Sequence, residues 1–176
     1  PAALYRSDDL GESWAEIPSL LEVPGTGKWT FPPPPHIPHV KHIVAHPNEP
    51  ETLFVLVEQG ALLKSTDDGK SWTELAGYSE PDEIAYRDVH RLLISANDPD
   101  LMYLASGEGL YTSTDGGNHW THLMQRGDRI GYPDFLFFDP GDDPTIYMGG
   151  SPPTPGARFT PATPDERRVG RACTPR

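Results

Sequence analysis

Apolar positions along this chain fall in short runs separated by polar turns, and the same order of runs and turns recurs. Val40 to Val57 (VKHIVAHPNEPETLFVLV) aligns with Val89 to Ser106 (VHRLLISANDPDLMYLAS), matching Pro50 to Pro99, and a looser copy runs from Asp134 to Gly149. Each copy reads as a strand, a Pro/Asp/Asn turn and a second strand. Downstream, three further segments align: Leu4 to Trp14, Leu62 to Trp72 and Leu110 to Trp120. Each carries Ser-x-Asp-x-Gly-x-x-Trp after a short apolar strand, with the turns 58 and 48 residues apart. The pattern predicts four strands per unit of about 50 residues, joined by short turns, which is the period of a propeller blade. The closing strands are expected over roughly 13–17, 71–75 and 119–123.

The repeated turn has a physical logic. Its Ser hydroxyl and Asp carboxylate (Ser7 and Asp9, Ser65 and Asp67, Ser113 and Asp115) suit backbone groups that a tight hairpin leaves unpaired. Gly11, Gly69 and Gly117 supply a backbone angle that other residues adopt at a cost. Trp14, Trp72 and Trp120 then start the returning strand and are expected to bury a large ring between layers. The third copy has His119 where the others have Ser13 and Ser71. All of these roles are structural, so the motif itself implies no catalysis.

These turns resemble the Asp-box, or BNR-repeat, superfamily over about residues 4–150. Its members include sialidases, xyloglucanases, sortilin-type receptors and the photosystem II assembly factor. The run Trp29 to Val40 (WTFPPPPHIPHV) is similar to bacterial BNR-repeat proteins described as glycosyl hydrolase-like. The resemblance implies an all-β propeller of four-stranded antiparallel blades more firmly than it implies an activity. Units are expected at about 1–30, 39–75, 88–123 and 134–150, of which two are complete and two partial, so the propeller is incomplete. Residues 151–176, rich in Pro and Arg and without alternation, are expected to form a disordered tail.

Composition narrows the partners. The net charge is −12, and residues 151–176 hold five Arg against one Asp and one Glu, so residues 1–150 carry −15. An acidic body repels nucleic acid and anionic membranes alike, and neither is expected as a partner. No apolar run approaches the roughly 20 residues needed to cross a bilayer. Cys173 is the single cysteine, which rules out an intrachain disulfide and slightly favours a cytoplasmic location. The chain opens at Pro1, so the lack of a leader carries no information.

Strand order sorts the loops onto two faces. The Ser-x-Asp turns and the turns at Asn48 and Asp98 share one face. The opposite face collects the beginnings of the first strands, with His39, Lys41 and His42 in one unit and Asp88, His90 and Arg91 in the next. Glu58 and Glu108 join them from the turns between second and third strands. The long connections 24–38, 76–87 and 124–133 add Trp29, Tyr78, Asp82, Glu83, Tyr86 and Tyr132. Carboxylates, cations and aromatics together suit a glycan or protein ligand on this face. Glycoside hydrolysis would need two carboxyls about 5–5.5 Å apart, or about 6.5–9.5 Å for inversion. Glu58 and Asp88 are the foremost acids for that role, with Asp82, Glu83 and Glu108 behind them.

The leading expectation is a non-catalytic binding scaffold, with a glycoside hydrolase-like enzyme as the alternative. A photosystem-assembly-like chaperone comes third, because it calls for a basic rim. Sialidase activity is not expected: no Arg-Ile-Pro motif occurs, and residues 1–150 contain only Arg6, Arg87, Arg91, Arg126 and Arg129. No cofactor is expected. The histidines give no metal site by spacing, since His39 and His42 point to opposite sides of a strand. His42 and His46 share a side, but about 13 Å apart by strand rise.

Overall fold

The computed structural model of the chain describes residues 2–76, 88–140 and 142–151. Tyr78, Asp82, Glu83, Tyr86, Arg87 and the 152–176 stretch lie outside the described residues. Among the described residues, twelve strands form four antiparallel sheets, each a meander of sequence neighbours. A two-stranded sheet pairs β1 (Tyr5–Arg6) with β2 (Ala15–Glu16). The first four-stranded sheet runs β3 (His39–Ala45), β4 (Leu53–Glu58), β5 (Ala61–Ser65) and β6 (Thr73–Ala76). The second runs β7 (Val89–Ile94), β8 (Met102–Ser106), β9 (Gly109–Ser113) and β10 (Thr121–Gln125). The last pairs β11 (Tyr132–Asp139) with β12 (Asp142–Ser151). The fold is an incomplete β-propeller, two full four-stranded sheets flanked by two half sheets. Among the described residues the only helices are short 3-10 turns at Pro18–Glu22 and Thr26–Lys28. No helix there is long and apolar enough to cross a membrane.

The unbroken apolar run LFVLV of β4 explains where the core sits. A strand buried on both faces has no need of alternation. Phe54 and Leu56 point to one side and join Leu62, Val89, Leu92, Met102, Leu104 and Tyr111, welding the two full sheets together. Val55 and Val57 point to the other and join Leu63, Leu4, Leu20, Val23 and Trp29. Burial of each such side chain stabilises the fold by about 1.5–3 kcal/mol.

The closing strands begin later than the pattern predicts, at Thr73 and Thr121, because the repeated turn holds the residues before them. The Ser65 hydroxyl donates to Asp67 Oδ1 (2.8 Å) and accepts from the Gly69 N–H (2.9 Å). Asp67 also accepts from the Ser71 N–H (2.9 Å) and hydroxyl (2.6 Å). Ser7 and Asp9 repeat these bonds, and so do Ser113 and Asp115. In the third copy the His119 ring nitrogen bonds Asp115 Oδ2 at 2.6 Å, taking the place of the serine hydroxyl. Gly11, Gly69 and Gly117 stand at φ of 94°, 81° and 90°, the left-handed region that favours glycine. Each of these carboxyls is held down at about 2, chiefly by the residue four positions on: Ser13 for Asp9, Ser71 for Asp67 and His119 for Asp115.

The same turn also joins neighbouring sheets. Ile17 packs on Gly69, and Leu75, equally placed three residues after its Trp, packs on Gly117. The equivalent Leu123 is 53% exposed, with nothing among the described residues covering it. Trp72 is half-buried and donates to the Ser19 hydroxyl (3.1 Å), whereas Trp14 is 64% exposed. The expected burial of the Trp ring therefore fails in the first copy, which has no described segment packed on it as residues 17–20 pack on Trp72.

Candidate functional site

The first strands of three successive sheets share one irregularity. Register slips between Val40 and His42 in β3, between Val89 and Arg91 in β7, and between Pro133 and Phe135 in β11. The unpaired residues are Lys41, His90 and Asp134. Such β-bulges re-aim a side chain and gather at rims beside sites. Here they turn a cation, an imidazole and a carboxylate toward one end of the sheets.

Glu58, at the end of β4, is buried and is held by two partners from β3. Lys41 Nζ lies 2.8 Å from its Oε1, and His39 Nε2 lies 2.9 Å from its Oε2. Both reach the same carboxylate from the start of β3, where His39 pairs with Glu58 and the bulge at Lys41 re-aims its side chain. Phe31 braces the His39 ring edge-on, 5.0 Å between centroids.

His90 is the most enclosed member, with a fully buried side chain. Its Nδ1 lies 2.6 Å from the Pro133 carbonyl, which fixes that nitrogen as the N–H donor. Its Nε2 has no hydrogen-bond partner and stands 3.4 Å from Asp88 Oδ1. Asp134 Oδ1 is 3.7 Å from Nδ1, and the Tyr132 ring packs at 4.8 Å between centroids. The Tyr132 hydroxyl donates to Asp88 Oδ2 at 3.2 Å. Gly107 makes room for this carboxylate, since a Cβ there would meet Asp88 Oδ2 at 2.0 Å.

Burial works to raise the Asp88 carboxyl, but His90, Gln59 and Tyr132 together outweigh it and hold it below the usual carboxylate range. Burial first, and Asp88 second, push the Tyr132 hydroxyl well above the ordinary tyrosine range. One ligating atom from each of Glu58, Asp88 and His90 lies within 4.8 Å of the others.

Five of the rim residues named from sequence thus converge: His39, Lys41, Glu58, Asp88 and His90. His42 and Arg91 point elsewhere. His42 Nδ1 accepts from the Leu92 N–H (3.2 Å) in the seam between the two full sheets, and its imidazole is lowered to about 4 by burial and then by Arg91. Glu108 pairs instead with Arg126 at 2.7 Å, beside His122. Its turn is one residue shorter than that of Glu58: Ser106 pairs with Gly109, whereas Val57 pairs with Ala61. Tyr132, named from sequence on a long connection, joins the converging five through Asp88 and His90, whereas Asp134 was not among the rim residues named from sequence. Aligning Asp134 with Lys41 and His90 at the bulge would have found it, but a bulge leaves no mark in an apolar pattern.

An incomplete propeller with a polar, partly aromatic rim defines a class of repeat proteins, and comparison places the chain within it. The chain belongs to the sortilin–Vps10 family, whose model, described as sortilin, neurotensin receptor 3, matches residues 2–148. It is 29% identical over 154 residues to the xyloglucanase Xgh74A of Acetivibrio thermocellus, covering 80% of this chain and 17% of that protein. It is 31% identical over 96 residues to the vacuolar protein sorting/targeting protein 10 of Fusarium vanettenii, covering 54% of this chain and 5% of that protein. The chain therefore spans less than a fifth of the curated relatives it matches. Among solved structures, the GH74 enzyme of Niastella koreensis aligns with a TM-score of 0.55 and 23% identity, over 82% of this chain and 23% of that one. The GH74 xyloglucanase of Xanthomonas campestris aligns with a TM-score of 0.57 and 17% identity, over 85% and 23%. Both likenesses show the fold.

Proposed function

We propose that this chain is a segment of an Asp-box, BNR-type propeller that serves as a binding scaffold for a glycan or protein. Residues 1–150 form the propeller segment, and the ligand engages the rim around His39, Lys41, Glu58, Asp88 and His90. The observation that carries the reading is the state of the two converging acids. Glu58 is clasped by Lys41 and His39, and Asp88 is held by Tyr132, His90 and Gln59 below the usual carboxylate range. A glycosidase general acid needs the opposite, a carboxyl whose proton is retained near neutral pH. Asp88 therefore keeps its charge to recognise a ligand and does not suit the role of proton donor that cleavage requires.

A second reading has its own support. Glu58 and Asp88 present oxygens within 4.8 Å of each other, near the spacing of a retaining pair, and the relatives include xyloglucanases. In that reading the chain is part of a hydrolase, and further acids come from outside it.

The test is a screen of the folded chain against a glycan array and chromogenic glycosides, with pull-down of protein ligands in parallel. Binding without turnover is the expected result. Turnover abolished by Glu58→Gln or Asp88→Asn would refute the scaffold and establish the hydrolase.

A further inference from the structure

We infer that Glu58, Asp88 and His90 form a binding site for a divalent transition-metal ion, with Zn2+ as the best-fitting occupant. The site goes beyond the scaffold reading and does not depend on whether the ligand is glycan or protein.

The first observation is the imidazole. His90 is enclosed, and its Nδ1–H is committed to the Pro133 carbonyl at 2.6 Å. In neutral imidazole the other nitrogen is then a bare lone pair. That lone pair faces a carboxylate oxygen, Asp88 Oδ1, at 3.4 Å, outside hydrogen-bonding geometry. A buried ring nitrogen this close to a carboxylate, with no hydrogen bond between them, calls for a positive charge in the gap, a proton or a metal ion. An N–H donated to a backbone carbonyl is also how a metal-ligating histidine is commonly oriented.

The spacing agrees. Four-coordinate zinc with bonds of about 2.0–2.1 Å keeps neighbouring donor atoms about 3.3–3.4 Å apart. The His90 and Asp88 atoms are already at 3.4 Å. A Glu58 oxygen lies within 4.8 Å of both, and in binding the ion this carboxylate would exchange its contact with His39 for the metal while keeping Lys41.

Each ligand is also supported behind its donor atom. Tyr132 donates to Asp88 Oδ2, Lys41 holds Glu58 Oε1, and Pro133 holds His90. Such supports fix orientation and contribute 10–100-fold to metal affinity elsewhere.

Charge points the same way. Glu58, Asp88 and Asp134 set three negative charges around His90, and Lys41 on Glu58 offsets one of them. The surplus matches a divalent ion. One nitrogen and two carboxylate oxygens suit zinc better than Ca2+, which takes six to eight oxygens.

The experiment titrates ZnCl2 into the folded chain, read by isothermal calorimetry and by 15N–1H NMR of the histidine rings. One ion per chain is expected, with the His90 Nε2 resonance moving on binding and CaCl2 leaving it in place. Glu58→Gln and Asp88→Asn, which keep side-chain shape, should each weaken binding at least tenfold. His90 resonances unmoved at saturating zinc would overturn the proposal. So would undiminished affinity in both variants, which would assign the zinc to exposed histidines such as His36 and His119. The ring resonances are read on the unaltered chain, so a variant that fails to fold does not shield the proposal.

Discussion

The repeated turn offers a controlled experiment within one molecule, because the same serine makes the same bonds in surroundings of different burial. Ser65 and Ser113 are 1% and 2% exposed, while Ser7 is half-buried and its bonds lie in exposed surroundings. In each copy the hydroxyl donates to the Asp carboxylate at 2.8 Å. It also accepts from the glycine N–H, at 2.7 Å from Gly11 and 2.9 Å from Gly69 and Gly117. Replacement by alanine removes the acceptor. At Ser65 and Ser113 the glycine N–H is then stranded away from water, at a cost of about 1–3 kcal/mol per orphaned group. Loss of the bond to the carboxylate adds to this, giving an expected total of about 2–3 kcal/mol at each buried copy. At Ser7 water replaces the hydroxyl, and the cost should stay below about 1 kcal/mol. The assay is urea unfolding followed by circular dichroism. With an m-value of about 2 kcal/mol/M, the midpoint should fall by about 1 M for Ser65→Ala and Ser113→Ala, and by a few tenths for Ser7→Ala. Equal losses at all three serines would refute the reasoning, because burial would not be what sets the cost.

Three further outcomes can be measured on the same preparations. Phe54→Ala empties the centre of the seam between the two full sheets and should cost about 3–5 kcal/mol in urea unfolding. Acid titration should show two limbs. His42 is lowered to about 4, so the unfolded chain takes up its proton first. Stability is then complete above the ordinary imidazole value of about 6.5 and drains as pH falls toward 4, a limb that His42→Gln should flatten. Asp67 and Asp115 titrate at about 2 in the folded chain, so their contribution is complete above the ordinary carboxylate range. It is lost as pH falls from about 4 to about 2, and Asp67→Asn should shrink that limb in near-UV circular dichroism. Gly107→Ala should drive the Asp88 carboxylate from its seat, shifting the His90 ring resonances while far-UV circular dichroism stays unchanged.

How much of this was legible in the chain differs by feature. The turn was legible because all its bonds lie within seven residues, Ser65 to Ser71, so composition and spacing dictate it without help from the rest of the fold. The start of the closing strands was misjudged by two residues because local bonding to Asp67 and Asp115 outlasted the apolar pattern. The burial of Trp14 was misjudged because it depends on a neighbouring segment and not on the motif.

The sequence by itself determined the repeat, the four-strand order within each unit and the loops that share a face. Those follow from contacts between residues close in the chain. Tertiary structure alone decided which rim residues meet. Lys41, His90 and Asp134 are brought to one place by three bulges whose register is set by strand pairing, and Glu58 approaches Asp88 only because the two full sheets pack through Phe54, Leu92 and Leu104. Glu108 shows the converse: one residue fewer in its turn sends it to Arg126. Side-chain encounters across sheets depend on register to a single residue, which periodicity specifies for one strand and not between sheets.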